Sequence, residues 1–175
     1  EHGRRLRAVG ERAAADQRRP DLGQQLVDRR VAVAVPAQGI ALVVAGEETV
    51  TGYLARPEAA GRQPAIIVIH EWWGLNDWTQ EQARMFAEQG YVALAVDLYR
   101  GRVATSRDEA HELSRGMPQD RAVRDLKAAF EYLASRPDVN KDKIGSVGWC
   151  MGGGLSLQLA VHEPRLAACV VYYGA

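Results

Sequence analysis

Residues 64–70 read Pro-Ala-Ile-Ile-Val-Ile-His, with five apolar residues in succession, four of them β-branched. Successive side chains of a strand point to opposite faces, so a strand with one wet face alternates apolar and polar residues. A strand without alternation needs cover on both faces, as in a parallel sheet held between helices. Apolar runs return at 91–99 (YVALAVDLY) and at 166–174 (LAACVVYYG), and 143–149 (KIGSVGW) reads as a further strand. Helical segments separate these runs. Over 77–90, Trp78, Ala83, Phe86 and Ala87 recur near helical spacing, and Gly90 is a good stop. Over 119–137, Val123, Leu126, Phe130 and Leu133 share one face and Pro137 ends the helix; 151–162 supplies a third. Strand and helix in strict alternation define an α/β fold with a mostly parallel sheet and helices on both faces.

The segment ahead of these units differs. Residues 1–30 hold eight arginines against five acids, few apolar residues and no aromatic ring, and we expect a poorly ordered N-terminal extension over 1–39. From residue 40 to 175 the chain reads as one domain, opening with a β-hairpin formed by IALVVAG and TVTGYLARP around Gly46-Glu47-Glu48. The chain opens on Glu1 and closes in an apolar run, so the domain is expected to be partial, C-terminally truncated. A formal net charge of zero gives no reason to expect nucleic acid or an anionic membrane surface as partner. No apolar run is long enough to span a bilayer. Cys150 and Cys169 form neither a CxxC pair nor a disulfide framework, which suits a reducing, cytoplasmic compartment.

Functional residues of an open α/β sheet gather where loops leave the C-terminal ends of its strands. Here those positions hold His70-Glu71-Trp72-Trp73, Asp97 to Arg102, Cys150 and Tyr172-Tyr173. One of them has a recognisable form. Gly148-Trp149-Cys150-Met151-Gly152 is a G-x-C-x-G turn between a predicted strand and a predicted helix, the setting of a nucleophile elbow. Such a turn is strained and crowded, so the positions two residues either side of the nucleophile must be small; Gly148 and Gly152 are. Cys150 then sits at a helix N-terminus, where the dipole favours a thiolate, and the Met151 N–H is placed as an oxyanion donor. Glycine-rich turns of this kind also bind phosphates, but neither G-x-x-x-x-G-K-[ST] nor G-x-G-x-x-G is matched. Cys169, inside a strand with apolar neighbours, is expected in the core.

Four blocks in order, VIHEWWGLN, YVALAVDLYRGR, KIGSVGWCMGGG and VVYYG, resemble the dienelactone hydrolase family over roughly residues 40–175. The resemblance implies an α/β-hydrolase fold and hydrolysis of a carboxylic ester or enol-lactone. The chemistry it implies is a Cys-His-Asp triad and an acyl-thioester intermediate, with no cofactor. By position it makes Cys150 the nucleophile and Glu71 the carboxylate that switches the resting thiol to thiolate. It makes the Trp72 N–H the second oxyanion donor beside Met151. It also implies a substrate-binding arginine after Asp97-Leu98-Tyr99. Here Gly101 occupies that place, with Arg100 and Arg102 on either side, so dienelactone itself is a doubtful substrate. Trp72 and Trp73 are candidates for the wall of an apolar acyl pocket, or for core packing.

The triad acid and histidine of such a fold follow the nucleophile in the chain. The histidine after Cys150 is His162, more than two helical turns along and expected to face solvent; His70 is expected to pack or support its loop. The expected result is a thiol-dependent esterase or lactonase, inactive or weak as this chain alone. The alternative is a catalytically dead α/β-hydrolase-like binding module. No metal-ligand spacing occurs, and oligomeric state is not legible.

Overall fold

The computed structural model describes residues 37–45 and 48–174. The expected extension lies outside these residues except for its last three positions, which open the first strand. In chain order the elements are β1 (Ala37–Ala45), β2 (Glu48–Arg56), β3 (Gln63–Ile69), α1 (Asp77–Glu88), β4 (Val92–Val96), α2 (Arg107–Arg115), α3 (Gln119–Ser135), β5 (Val139–Trp149), α4 (Met151–His162) and β6 (Ala168–Tyr172). They form one sheet of order β1-β2-β4-β3-β5-β6. The hairpin β1–β2 joins antiparallel through β2 to β4, while β4, β3, β5 and β6 run parallel.

The unbroken apolar run of β3 has the predicted cause. Ile67 and Ile69 enter one core cluster together with Leu94, Leu126, Phe130, Leu133 and Leu159. Ile66 and Val68, pointing the other way, enter a second cluster with Ala93, Ala95 and the α1 residues Ala83 and Ala87. Alanines on sheet and helix alike bring α1 close on that face; the opposite face takes the larger side chains under α2, α3 and α4. Ile67, Val68 and Ile69 are fully buried, each contributing about 1.5–3 kcal/mol of hydrophobic stabilisation.

Helix α2 was not expected; its stretch reads as a polar crossing segment. It buries only Ala110 and Leu113, too few for a visible period, and is started by local bonds instead. The Ser106 Oγ accepts the Glu109 N–H, and the Glu109 carboxylate accepts the Thr105 N–H and hydroxyl. Ser-x-x-Glu is a capping-box spacing, the local signal for this helix in the sequence.

β6 forms as expected but is exposed along its whole length. Cys169 is therefore exposed, not in the core as its apolar neighbours suggested, because β6 is the outermost strand among the described residues. Register fixes what matters for the site. Ile69 lies beside Val96 on one side and Gly148 on the other, and Trp149 beside Tyr172. The segments that leave β3, β4, β5 and β6 thus emerge along one edge.

Candidate active site

Cys150 joins β5 to α4 with φ 54° and ψ −123°. A non-glycine residue held there stores about 1–3 kcal/mol of backbone strain, and surrounding contacts must impose it. They are visible. The Cys150 N–H donates to the Tyr172 carbonyl at 3.0 Å, and the Cys150 carbonyl accepts the Gly153 N–H at 2.9 Å. A Cβ on Gly148 would overlap the Gly152 carbonyl, and one on Gly152 would overlap the carbonyls of Ile69 and His70. Both elbow glycines are thus required by close backbone approach. The half-buried Cys150 side chain makes no cap hydrogen bond, and α4 has no acidic residue in its first turn. The partial positive charge of the helix N-terminus is left to the sulfur.

Glu71 follows the end of β3, and its Oε1 accepts a 3.0 Å hydrogen bond from the Tyr173 hydroxyl. Tyr173 itself has a positive φ of 38°. That bond pushes the Tyr173 phenol above its ordinary value, with a smaller contribution from Cys150. Tyr173 is exposed and bonded to the Glu71 carboxylate. Its neighbour Tyr172 does pack, stacked on Trp149 with the rings 5° from parallel. On the other side Tyr99 donates to the Met151 Sδ at 3.3 Å. Burial first, and Cys150 second, push the Tyr99 phenol up to about 12. Two phenols and a carboxylate therefore surround the elbow, and neither phenol ionises at neutral pH.

The loop after Glu71 is tightly built. The Glu71 carbonyl accepts the Gly74 N–H at 3.2 Å, closing a turn over Trp72 and Trp73. The Ala104 N–H donates to the Trp73 carbonyl at 2.9 Å, and Asn76 caps α1 through the Thr79 N–H. Trp72 and Trp73 meet edge to face and pack on the larger core cluster. His111, from α2, stands edge-on to Trp72. His70 is completely buried; its Nδ1 lies 2.5 Å from the Glu71 carbonyl oxygen and its Nε2 3.3 Å from the Leu98 nitrogen. Loop support, expected from its place before Glu71, is what these two bonds provide.

Arg100 is drawn into an ion pair within the protein, bonding the buried Asp125 at 2.8 Å and Glu48 at 2.9 Å. That is a correction to its expected role, because a guanidinium held by two protein carboxylates has little left for a substrate. Arg102 is exposed and lies 3.7 and 3.9 Å from Glu109 and Glu112. Asp97 ties its own loop, accepting from the Tyr99 and Gly101 N–H groups and the Thr51 hydroxyl. His162 is exposed and turned to the Gln158 carbonyl.

The dienelactone hydrolase family model matches residues 50–175. The chain belongs to that family. It is 38% identical over 132 residues to "Protein usf" of Aquifex pyrophilus, covering 71% of this chain and 56% of that protein. It is 30% identical over 132 residues to the carboxymethylenebutenolidase of Pseudomonas putida, covering 70% of this chain and 55% of that one. Among solved structures, a dienelactone hydrolase-like promiscuous phosphotriesterase from metagenomic libraries superposes with a TM-score of 0.73 at 27% identity, covering 80% of this chain and 60% of that one. The chain thus spans little more than half the length of the family members it matches. The α/β-hydrolase fold read from the sequence is the fold of these structures. No helix among the described residues is long and apolar enough to cross a membrane.

Proposed function

We propose that this chain carries the nucleophilic half of a thiol-dependent hydrolase acting on small carboxylic esters or lactones. Cys150 is the nucleophile and Glu71 takes the thiol proton. The thiolate electron pair forms the S–C bond, the carbonyl π pair moves onto oxygen, and the Met151 and Trp72 N–H groups receive that oxyanion. Collapse re-forms the carbonyl and expels the alkoxide, which leaves an acyl-thioester. What carries this reading is the Cys150 backbone, strained into positive φ between two glycines that admit no side chain. A buried structural cysteine has no need of such strain.

Water must then attack the thioester with help from a base. No histidine among the described residues is hydrogen-bonded to Cys150: His70 is buried with both ring nitrogens bonded elsewhere, the exposed His111 stands edge-on to Trp72, and His162 faces a carbonyl. Acylation in this chain is therefore expected to outrun deacylation by orders of magnitude. Trp73 and Trp72 offer the apolar wall for an acyl group. Arg102, whose ion pairs with Glu109 and Glu112 are exposed and longer than those of Arg100, is the better candidate to meet a substrate carboxylate. Two free thiols fit a reducing, cytoplasmic setting.

The test is stopped-flow hydrolysis of p-nitrophenyl acetate by the chain, Cys150→Ala and Cys169→Ala. The reading predicts one equivalent of nitrophenolate in a burst, then slow turnover, with the burst lost only in Cys150→Ala. Two thiols of equal, ordinary reactivity and no burst would instead indicate a binding module.

A further inference from the structure

We propose that His70 is a positioning residue that aims the Trp72 N–H at the oxyanion. The inference rests on the acylation reading above but concerns a residue that reading does not use. The neutral imidazole has one donor and one acceptor nitrogen. A backbone N–H can only donate, so Nε2, facing the Leu98 nitrogen, is the unprotonated atom. Nδ1 then carries the proton and donates it to the Glu71 carbonyl. Burial, the largest influence on this ring, holds its pKa below the ordinary value and keeps it neutral.

The Glu71 carbonyl and the Trp72 N–H are two ends of one peptide group. No peptide bond among the described residues is cis, so the two point in opposite directions from a rigid plane. Two donors, the His70 Nδ1–H and the Gly74 N–H, hold the carbonyl end. Fixing that end fixes the direction of the N–H, which donates to no acceptor among the described residues. The other end of the imidazole is anchored at the start of the loop after β4, where the Leu98 carbonyl is itself held by Arg121 at 3.3 Å. His70 thereby ties the loops leaving β3 and β4 together through the peptide that carries the donor. An oxyanion donor works only when its direction is set before charge develops.

Two reactions of Cys150 separate this role from general support. Acylation by p-nitrophenyl acetate passes through a tetrahedral oxyanion, with nitrophenolate leaving as the carbonyl re-forms. Alkylation by iodoacetamide displaces iodide at a saturated carbon and needs no oxyanion donor. We compare the chain with His70→Leu, which loses both hydrogen bonds, and His70→Gln, whose amide can donate and accept as the neutral ring does. The expected result is a burst on the order of 10²-fold slower in His70→Leu, alkylation unchanged, and a nearly normal burst in His70→Gln. Equal burst rates in His70→Leu and the parent chain, or burst and alkylation falling together, would overturn the proposal. A burst that survives Cys150→Ala would instead sink the acylation reading. Should His70→Leu not fold, ¹⁵N NMR of the parent chain decides the clamp. It must show His70 protonated at Nδ1; an Nε2-protonated ring overturns it.

Discussion

Gly152→Ala tests the elbow through packing alone. Gly152 lies in the first turn of α4 with an ordinary helical φ, so alanine there meets no conformational barrier. Helix propensity by itself favours the substitution by about 1 kcal/mol. The obstacle is the end of β3. A Cβ would stand 2.5 Å from the His70 carbonyl oxygen and nearer still to that of Ile69, where ordinary contact begins at 3.4 Å. Both obstacles are backbone atoms in a close-packed sheet, so α4 must retreat by roughly 1 Å. Forced overpacking of this kind costs about 1–3 kcal/mol, and two carbonyls at once put the cost at the upper end. Setting the helix gain against it leaves a net loss of about 2 kcal/mol. The retreat carries Cys150 and the Met151 N–H with it, and a displacement near 1 Å slows acylation by about 10²-fold. Urea unfolding followed by tryptophan fluorescence measures the first effect, and the nitrophenolate burst the second. A Gly152→Ala chain as stable as the parent, or more so, would refute the close approach that makes this glycine necessary.

Arg100→Met strands the buried Asp125 without its ion-pair partner and should cost about 3 kcal/mol by urea unfolding; a variant as stable as the parent chain would refute the structural role of the pair. Because the folded-state pKa of His70 is depressed below its ordinary 6.5, the unfolded chain takes up its proton first as pH falls. The stability it contributes is complete above pH 6.5 and declines below it, with a slope approaching about 1.4 kcal/mol per pH unit. Denaturation midpoints from pH 8 to 5 should show that decline, opposed in part by Asp97, and His70→Gln should flatten it.

The apolar runs and their helical separators made the layers legible, because a strand buried on both faces has no other explanation for its composition. The elbow was legible too, since glycine spacing around a strand-to-helix cysteine reflects a local steric demand. What the sequence did not show depends on distant partners. Arg100 looks like a substrate ligand until Asp125 and Glu48, far along the chain in either direction, are seen to hold it. Cys169 looks internal because its neighbours are apolar, whereas its exposure follows from the place of β6 in the sheet order. The bond between Tyr173 and Glu71 joins residues far apart in the chain, brought together where the backbone of Tyr173 turns through positive φ. Helix α2 was hidden for the opposite reason, being defined by local capping with little burial.

The central claim is that Cys150 forms a covalent acyl intermediate. The most direct test is peptide mass mapping of the chain quenched in acid within the burst phase of p-nitrophenyl acetate hydrolysis. The account predicts a single acetyl group, on the peptide bearing Cys150, released by neutral hydroxylamine as a thioester is. Acetylation confined to Cys169 or to surface lysines, with Cys150 unmodified, would contradict it.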